Sequence, residues 1–255
     1  MRNNRITSAR PGLGLVLPAA LMVIWELSVR FGLLDAVFYP PPSQLARAAA
    51  RLWASGDLLT AMLATLTRAL LGFIPGALAG AAIGAAMGSS AAIRQMVEPS
   101  LSSLYSVPKL ALLPIFLLML GVGETARLAL ISLGTALTMS IQLFDGVRGI
   151  DSGYVEMARN YGASRWALLK KVYFPGAMPS LFTGSRITLG RAIVLAISVE
   201  LVTGSPGLGS MIWLAWQTFS TERLYVSVIA AGLIGYLSQT AILALEKRVL
   251  RWRYC

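Results

Sequence analysis

Three stretches of the chain, 69–93, 128–144 and 224–245, contain no Asp, Glu, Lys or Arg. A helix needs roughly 20 apolar residues to cross a bilayer of ~30 Å hydrocarbon thickness. Inside that layer every backbone polar group must be satisfied within the protein, which leaves helices as the economical solution. Runs of this length therefore predict membrane helices rather than the interior of a water-soluble α domain. Composition agrees, with 56% hydrophobic and 13% charged residues, where a soluble domain carries about 25% charged. The expected class is an all-α integral membrane protein forming a single transmembrane domain over 1–255.

Hydropathy places six transmembrane helices at about 12–34, 66–90, 99–120, 125–145, 181–203 and 224–245. With the N-terminus inside, thirteen basic residues fall on the cytoplasmic side: Arg2, Arg5, Arg10, Arg94, Arg148, Arg159, Arg165, Lys170, Lys171, Lys247, Arg248, Arg251 and Arg253. Four fall outside, Arg47, Arg51, Arg127 and Arg223. Cytoplasmic loops carry the excess of Lys and Arg, so both termini are expected in the cytoplasm. The net charge of +11 is spread between apolar spans rather than along one soluble face, which argues against nucleic acid as a partner.

Several chemistries are missing. Cys255 has no second cysteine to pair with and the chain contains no His, which removes intrachain disulfides, His acid–base catalysis and the common zinc spacings. Neither a GxxxxGK[ST] phosphate loop nor a GxSxG nucleophile elbow occurs. The chain reads as a non-catalytic protein without metal or cofactor of its own.

Between the spans, "YPPPSQLARAAARLWASGD" (39–57) reads as a proline-led amphipathic helix. "GSPGLGSMIWLAWQTFSTE" (204–222) places Trp213, Trp216 and Phe219 three residues apart, which suits an interfacial or re-entrant helix or, equally, aromatic anchors. Gly72, Gly76, Gly80, Gly84 and Gly88 recur every four residues. Such a stripe lets helices approach closely in lipid, within one subunit or between two copies. Charges inside spans are expensive and mark pairs or water-filled paths; here they are Glu26, Lys109, Arg186, Arg191 and Glu200. Arg186 is near enough to a span end to snorkel. Lys109, Arg191 and Glu200 are candidates for a translocation pathway, with pairing of Lys109 to Glu26 or Glu200 as the alternative. Pro108 and Pro114 are expected to interrupt the helix around Lys109.

The remaining segment, 151–174, is too charged to cross. Tyr154, Val155, Ala158 and Tyr161 share one apolar side, and Trp166, Leu169 and Tyr173 recur at helical spacing. Gly162 can end one helix in the left-handed conformation, and Pro175 and Pro179 punctuate entry to the fifth span. The pattern predicts a helix–turn–helix displayed to the cytoplasm as a platform for a partner. For Glu156 the plain alternative is a solvated charge near a helix N-terminus.

Glu156-Met157-Ala158, Gly162 and Phe174-Pro175 resemble the "EAA…G…LP" signature of importer-type ABC transporter permeases. "YSVPKLALLPIFLLMLGVGETARL" (105–128), "GASRWALLKKVYFPGAMPSLFTGSRITLGRA" (162–192) and "GSPGLGSMI" (204–212) are similar to the nitrate/sulfonate/taurine branch. Met157 departs from the signature, which usually has Ala there. The resemblance implies a type I importer fold and a pathway built by two copies of the chain in the bacterial inner membrane. It also implies two cytoplasmic ATPase subunits, which would use ATP and Mg, and a periplasmic or lipid-anchored binding protein. Glu156 would meet a basic residue of the ATPase, Ala158 would make the close contact, and Gly162 the turn. Met157, Ala163, Ser164, Arg165 and Trp166 would complete the docking surface. The solute implied is an anion such as a sulfonate, taurine or nitrate; a neutral or heterocyclic nutrient on the same architecture is the alternative. A secondary transporter acting alone is the reading from a different class.

Overall fold

The computed structural model describes residues 13–254. Arg2, Arg5, Arg10 and Cys255 lie outside the described residues, as does the side chain of Arg165. Every regular element described is helical. In chain order these are α1 (Leu13–Arg30), α2 (Pro42–Ala54), α3 (Asp57–Ser89), α4 (Ala91–Ser106), α5 (Leu113–Leu120) and α6 (Glu124–Arg148). They continue with α7 (Ser152–Asn160), α8 (Arg165–Leu168), α9 (Phe174–Thr203), α10 (Leu208–Gln217), α11 (Thr221–Val249) and α12 (Arg251–Tyr254).

Among the described residues, α3, α6 and α11 are each long and apolar enough to cross a membrane, and two bent pairs raise the number to five. Over the span expected at 99–120 the helix is interrupted at Pro108. Ser90 caps α4, accepting from the Ile93 N–H, so the helix starts well ahead of residue 99. It stops at Val107, and the chain turns by 93° into Lys109–Leu120. Pro108 lacks an N–H and restricts the residue before it; Val107 is accordingly extended, at ψ 132°.

The expected fifth span, 181–203, is also longer in fact. α9 begins at Phe174 with Pro175 in its first turn. A π-helical turn at Leu169–Tyr173 joins it to α8, so the charged segment runs into the membrane helix without a loop. The chain then bends by 46° into α10. Trp213 and Trp216 meet with ring centroids 5.0 Å apart and their planes tilted by 36°.

α3, α6 and α9 form the packed centre, with Ala69, Ile131, Leu189, Ala192 and Ala196 in its core. The glycine stripe of α3 faces α6 of the same chain. A Cβ on Gly76, Gly80 or Gly84 would collide with the backbone carbonyls of Ser132, Ala136 and Ser140 in turn. Ser132 Oγ donates to the Gly72 carbonyl at 2.9 Å across the seam. Gly80→Val should therefore lose on the order of 1–3 kcal/mol through overpacking, read as a lower thermal unfolding midpoint in detergent. Gly232→Ala, whose Cβ would meet nothing within 4 Å, should not. Equal midpoints would refute the seam.

Candidate functional site

Three groups of polar residues stand out against this apolar frame. The first is the segment between α6 and α9. Asp151 caps α7 by accepting from the Gly153 N–H at 2.8 Å. At the far end Gly162 adopts φ +75°, a conformation a β-branched residue resists. Its N–H donates to the Arg159 carbonyl at 2.8 Å, and the Ala163 N–H donates to the Ala158 carbonyl at 3.0 Å. That closes α7 and redirects the chain into α8, whose first turn Ser164 caps by accepting from the Ala167 N–H at 3.2 Å.

Of the residues expected on the inner face, Val155 and Ala158 are half-buried, whereas Tyr154 and Tyr161 face outward. Tyr161 is 88% and Trp166 73% exposed, with Met157 also uncovered. Glu156 is exposed beside them and makes no ion pair among the described residues. Glu156, Met157, Tyr161 and Trp166 thus all lie uncovered within one short segment.

The second group is a buried ion-pair network that sequence reading missed. Glu200, in the last turn of α9, is completely buried. It accepts from Thr65 Oγ1 at 2.8 Å, from the Gly209 N–H at 2.9 Å and from Arg68. Arg68 also donates to the Pro206 carbonyl at 3.1 Å and, through Nε and Nη2, to both oxygens of Glu124 at 2.9 Å each. Arg127 donates to Glu124 at 2.7 Å. The network ties α3, α6 and α9 to the start of α10, and Thr65 Oγ1 accepts from the Leu208 N–H at 2.9 Å to complete it. Arg68 lies four residues before Gly72, on the face of the glycine stripe. That register was the available signal.

The third group lines a cavity of about 1010 Å³ between α6, α9, α11 and the break after α4. Lys109 and Arg191 both reach it; Glu200 does not. Lys109 Nζ donates to the Tyr105 carbonyl and sits 4.5 Å from the centroid of the Tyr105 ring. Arg191 Nη1 donates to the Tyr105 hydroxyl at 2.7 Å. Neither alternative partner of Lys109 is near it. Glu26 pairs with Arg30 at 2.8 Å and accepts from the Ser43 N–H and hydroxyl, which joins α1 to α2. Glu200 belongs to Arg68. Arg186 pairs with Glu246 at 3.6 Å.

Residues 58–251 match the family described as "Binding-protein-dependent transport system inner membrane component". The chain belongs to that family. One relative is the "Putative aliphatic sulfonates transport permease protein SsuC" of Escherichia coli (strain K12). It is 37% identical over 236 residues, covering 92% of this chain and 90% of that protein. The riboflavin transport system permease protein RibX of Chloroflexus aurantiacus is 37% identical over 246 residues, covering 95% and 91%. Among solved structures, an inward-facing form of the MetNI methionine ABC transporter matches at TM-score 0.69 and 20% identity, covering 75% of this chain and 95% of that one. The all-helical permease is thus similar in fold to solved ABC importer permeases, and the resemblance read from 151–175 and its flanking motifs stands as membership of the family.

Proposed function

We propose that this permease is the membrane-spanning subunit of an ATP-driven, binding-protein-dependent importer for a small organic anion of the sulfonate or taurine kind. Two copies form the pathway in the bacterial inner membrane. Two cytoplasmic ATPase subunits dock on 151–174, and a periplasmic or lipid-anchored protein delivers the solute. The observation that carries the anion reading is the cavity, whose lining includes Lys109 and Arg191 and no carboxylate among the described residues. Positive charge held in an apolar setting without a counter-charge favours a negatively charged visitor. The sulfonate relative supports the same class. The riboflavin relative keeps a heterocyclic nutrient as the second reading.

In this account ATP and Mg act only in the partner ATPase. Closure of the ATPase pair moves α7, and the continuous path from α8 through the π turn into α9 carries the displacement into the membrane. The test of solute class is competition. Uptake by the assembled importer should be inhibited by short alkylsulfonates and unaffected by riboflavin, and the reverse pattern would select the second reading.

Six crossings with both ends cytoplasmic accompany this reading, supported by the distribution of Lys and Arg. In a Cys255→Ser background, single cysteines at Ser55 and Ser220 should react with an impermeant thiol reagent added to sealed cells. Ser152→Cys should stay unlabelled. Labelling at 152 from outside would reject this orientation.

A further inference from the structure

Two cations share the cavity, yet the groups that hold them there are neutral. Tyr105 supplies all three contacts: its hydroxyl accepts from Arg191, its carbonyl accepts from Lys109, and its ring lies under the ammonium. No carboxylate lines the cavity among the described residues. Neutral acceptors compensate a cation more weakly than an oxyanion does, because they accept its hydrogen bonds without supplying the opposite charge that attracts it.

A second observation concerns two threonines of the lining, Thr135 on α6 and Thr188 on α9. Thr135 is 3% exposed and Thr188 is fully buried. Both line the cavity, and the hydroxyl of neither has a hydrogen-bond partner among the described residues. Buried hydroxyls are normally satisfied, and each exception calls for an explanation. On the α9 side Ile187, Ile193, Val194 and Leu195 give the cavity an apolar stretch, with Ser198 beyond it. Ligand cavities commonly measure about 300–1,000 Å³, and this one, at about 1010 Å³, accommodates a small organic molecule with room to pass.

We propose that Lys109, Arg191, Thr135 and Thr188 form an anion-binding subsite within the permease, selective for an organic oxyanion with a short apolar tail, and that Tyr105 occupies the two cations until the anion replaces it. The proposal rests on the importer reading above and adds a selective step inside the membrane subunit. An oxyanion head satisfies the guanidinium, the ammonium and the threonine hydroxyls at once. The tail lies on the isoleucine and valine wall, where an inorganic ion gains nothing.

The test is equilibrium dialysis of radiolabelled 1-propanesulfonate with the purified full-length chain in detergent. Saturable binding is expected, with inorganic sulfate and 1-propanol competing at least tenfold more weakly. Lys109→Met and Arg191→Met should each weaken binding at least tenfold. Thr188→Val and Thr135→Val are the sharper variants. They remove hydroxyls that the fold does not use, so chromatographic behaviour and thermal midpoint should be unchanged while binding weakens about threefold to tenfold. Absence of saturable binding, equal competition by sulfate, or threonine variants that bind like the parent would overturn the subsite. ATP-driven uptake of 1-propanesulfonate by the assembled importer, without binding to the permease alone, would overturn the subsite and leave the importer reading standing. Loss of uptake of every organic anion would remove the reading itself.

Discussion

Arg68→Leu should yield a protein that inserts but does not hold its fold in detergent. The substitution strands the Glu200 carboxylate, which has no exposed surface, and releases the Pro206 carbonyl and Glu124 together. Removing one partner of a buried ion pair costs about 3–5 kcal/mol, chiefly because the other charge stays buried and uncompensated. Arg68→Lys should recover only part of this, since an ammonium cannot reproduce the planar fork that reaches two carboxylates and a carbonyl. Replacing both charges, as Arg68→Leu with Glu200→Leu, should restore much of the loss, because no charge is then left unpaired. The measurement is the thermal unfolding midpoint of the purified chain. A single Arg68→Leu variant as stable as the parent would show that the network contributes nothing.

Glu156→Ala should leave insertion and folding intact while weakening association with the ATPase by roughly 2–5 kcal/mol, if the partner's cation is left buried and unpaired. The basis is an exposed carboxylate without an ion pair among the described residues, in a segment where Met157, Tyr161 and Trp166 are also uncovered. Gly162→Val should be comparably harmful by a different route. The turn requires φ +75°, so α7 and α8 would no longer meet at the angle that presents this surface. Co-purification of tagged permease with its ATPase reads both variants. Full ATPase binding by both would reduce segment 151–174 to a solvated loop.

Which features were legible in the sequence follows from the range over which each is determined. The glycine stripe, the turn at Gly162 and the break at Pro108 are set by residues within a few positions, and their spacing alone exposes them. That the stripe closes on α6 within one chain could not be read, because a small-residue face does not name its partner. Arg68 and Glu200 lie 132 residues apart, and nothing local distinguishes Glu200 in that network from a carboxylate facing a pathway. Lys109 and Arg191 were visible as charges in apolar spans. Tyr105 was not, because its hydroxyl serves a residue 86 positions away. Pro175 and Pro179 were read as punctuation, whereas Pro175 sits in the first turn of α9 and Pro179 inside it. The continuity of α9 with the charged segment was thereby hidden.

ATP-driven import through this chain is open to direct reconstitution. Proteoliposomes containing the permease and the proposed ATPase and binding-protein partners should accumulate radiolabelled 1-propanesulfonate only when ATP and Mg are enclosed on the ATPase side. Omission of any one protein should abolish uptake. Accumulation by the permease alone, driven by an ion gradient and indifferent to ATP, would contradict the account and make the chain a secondary transporter.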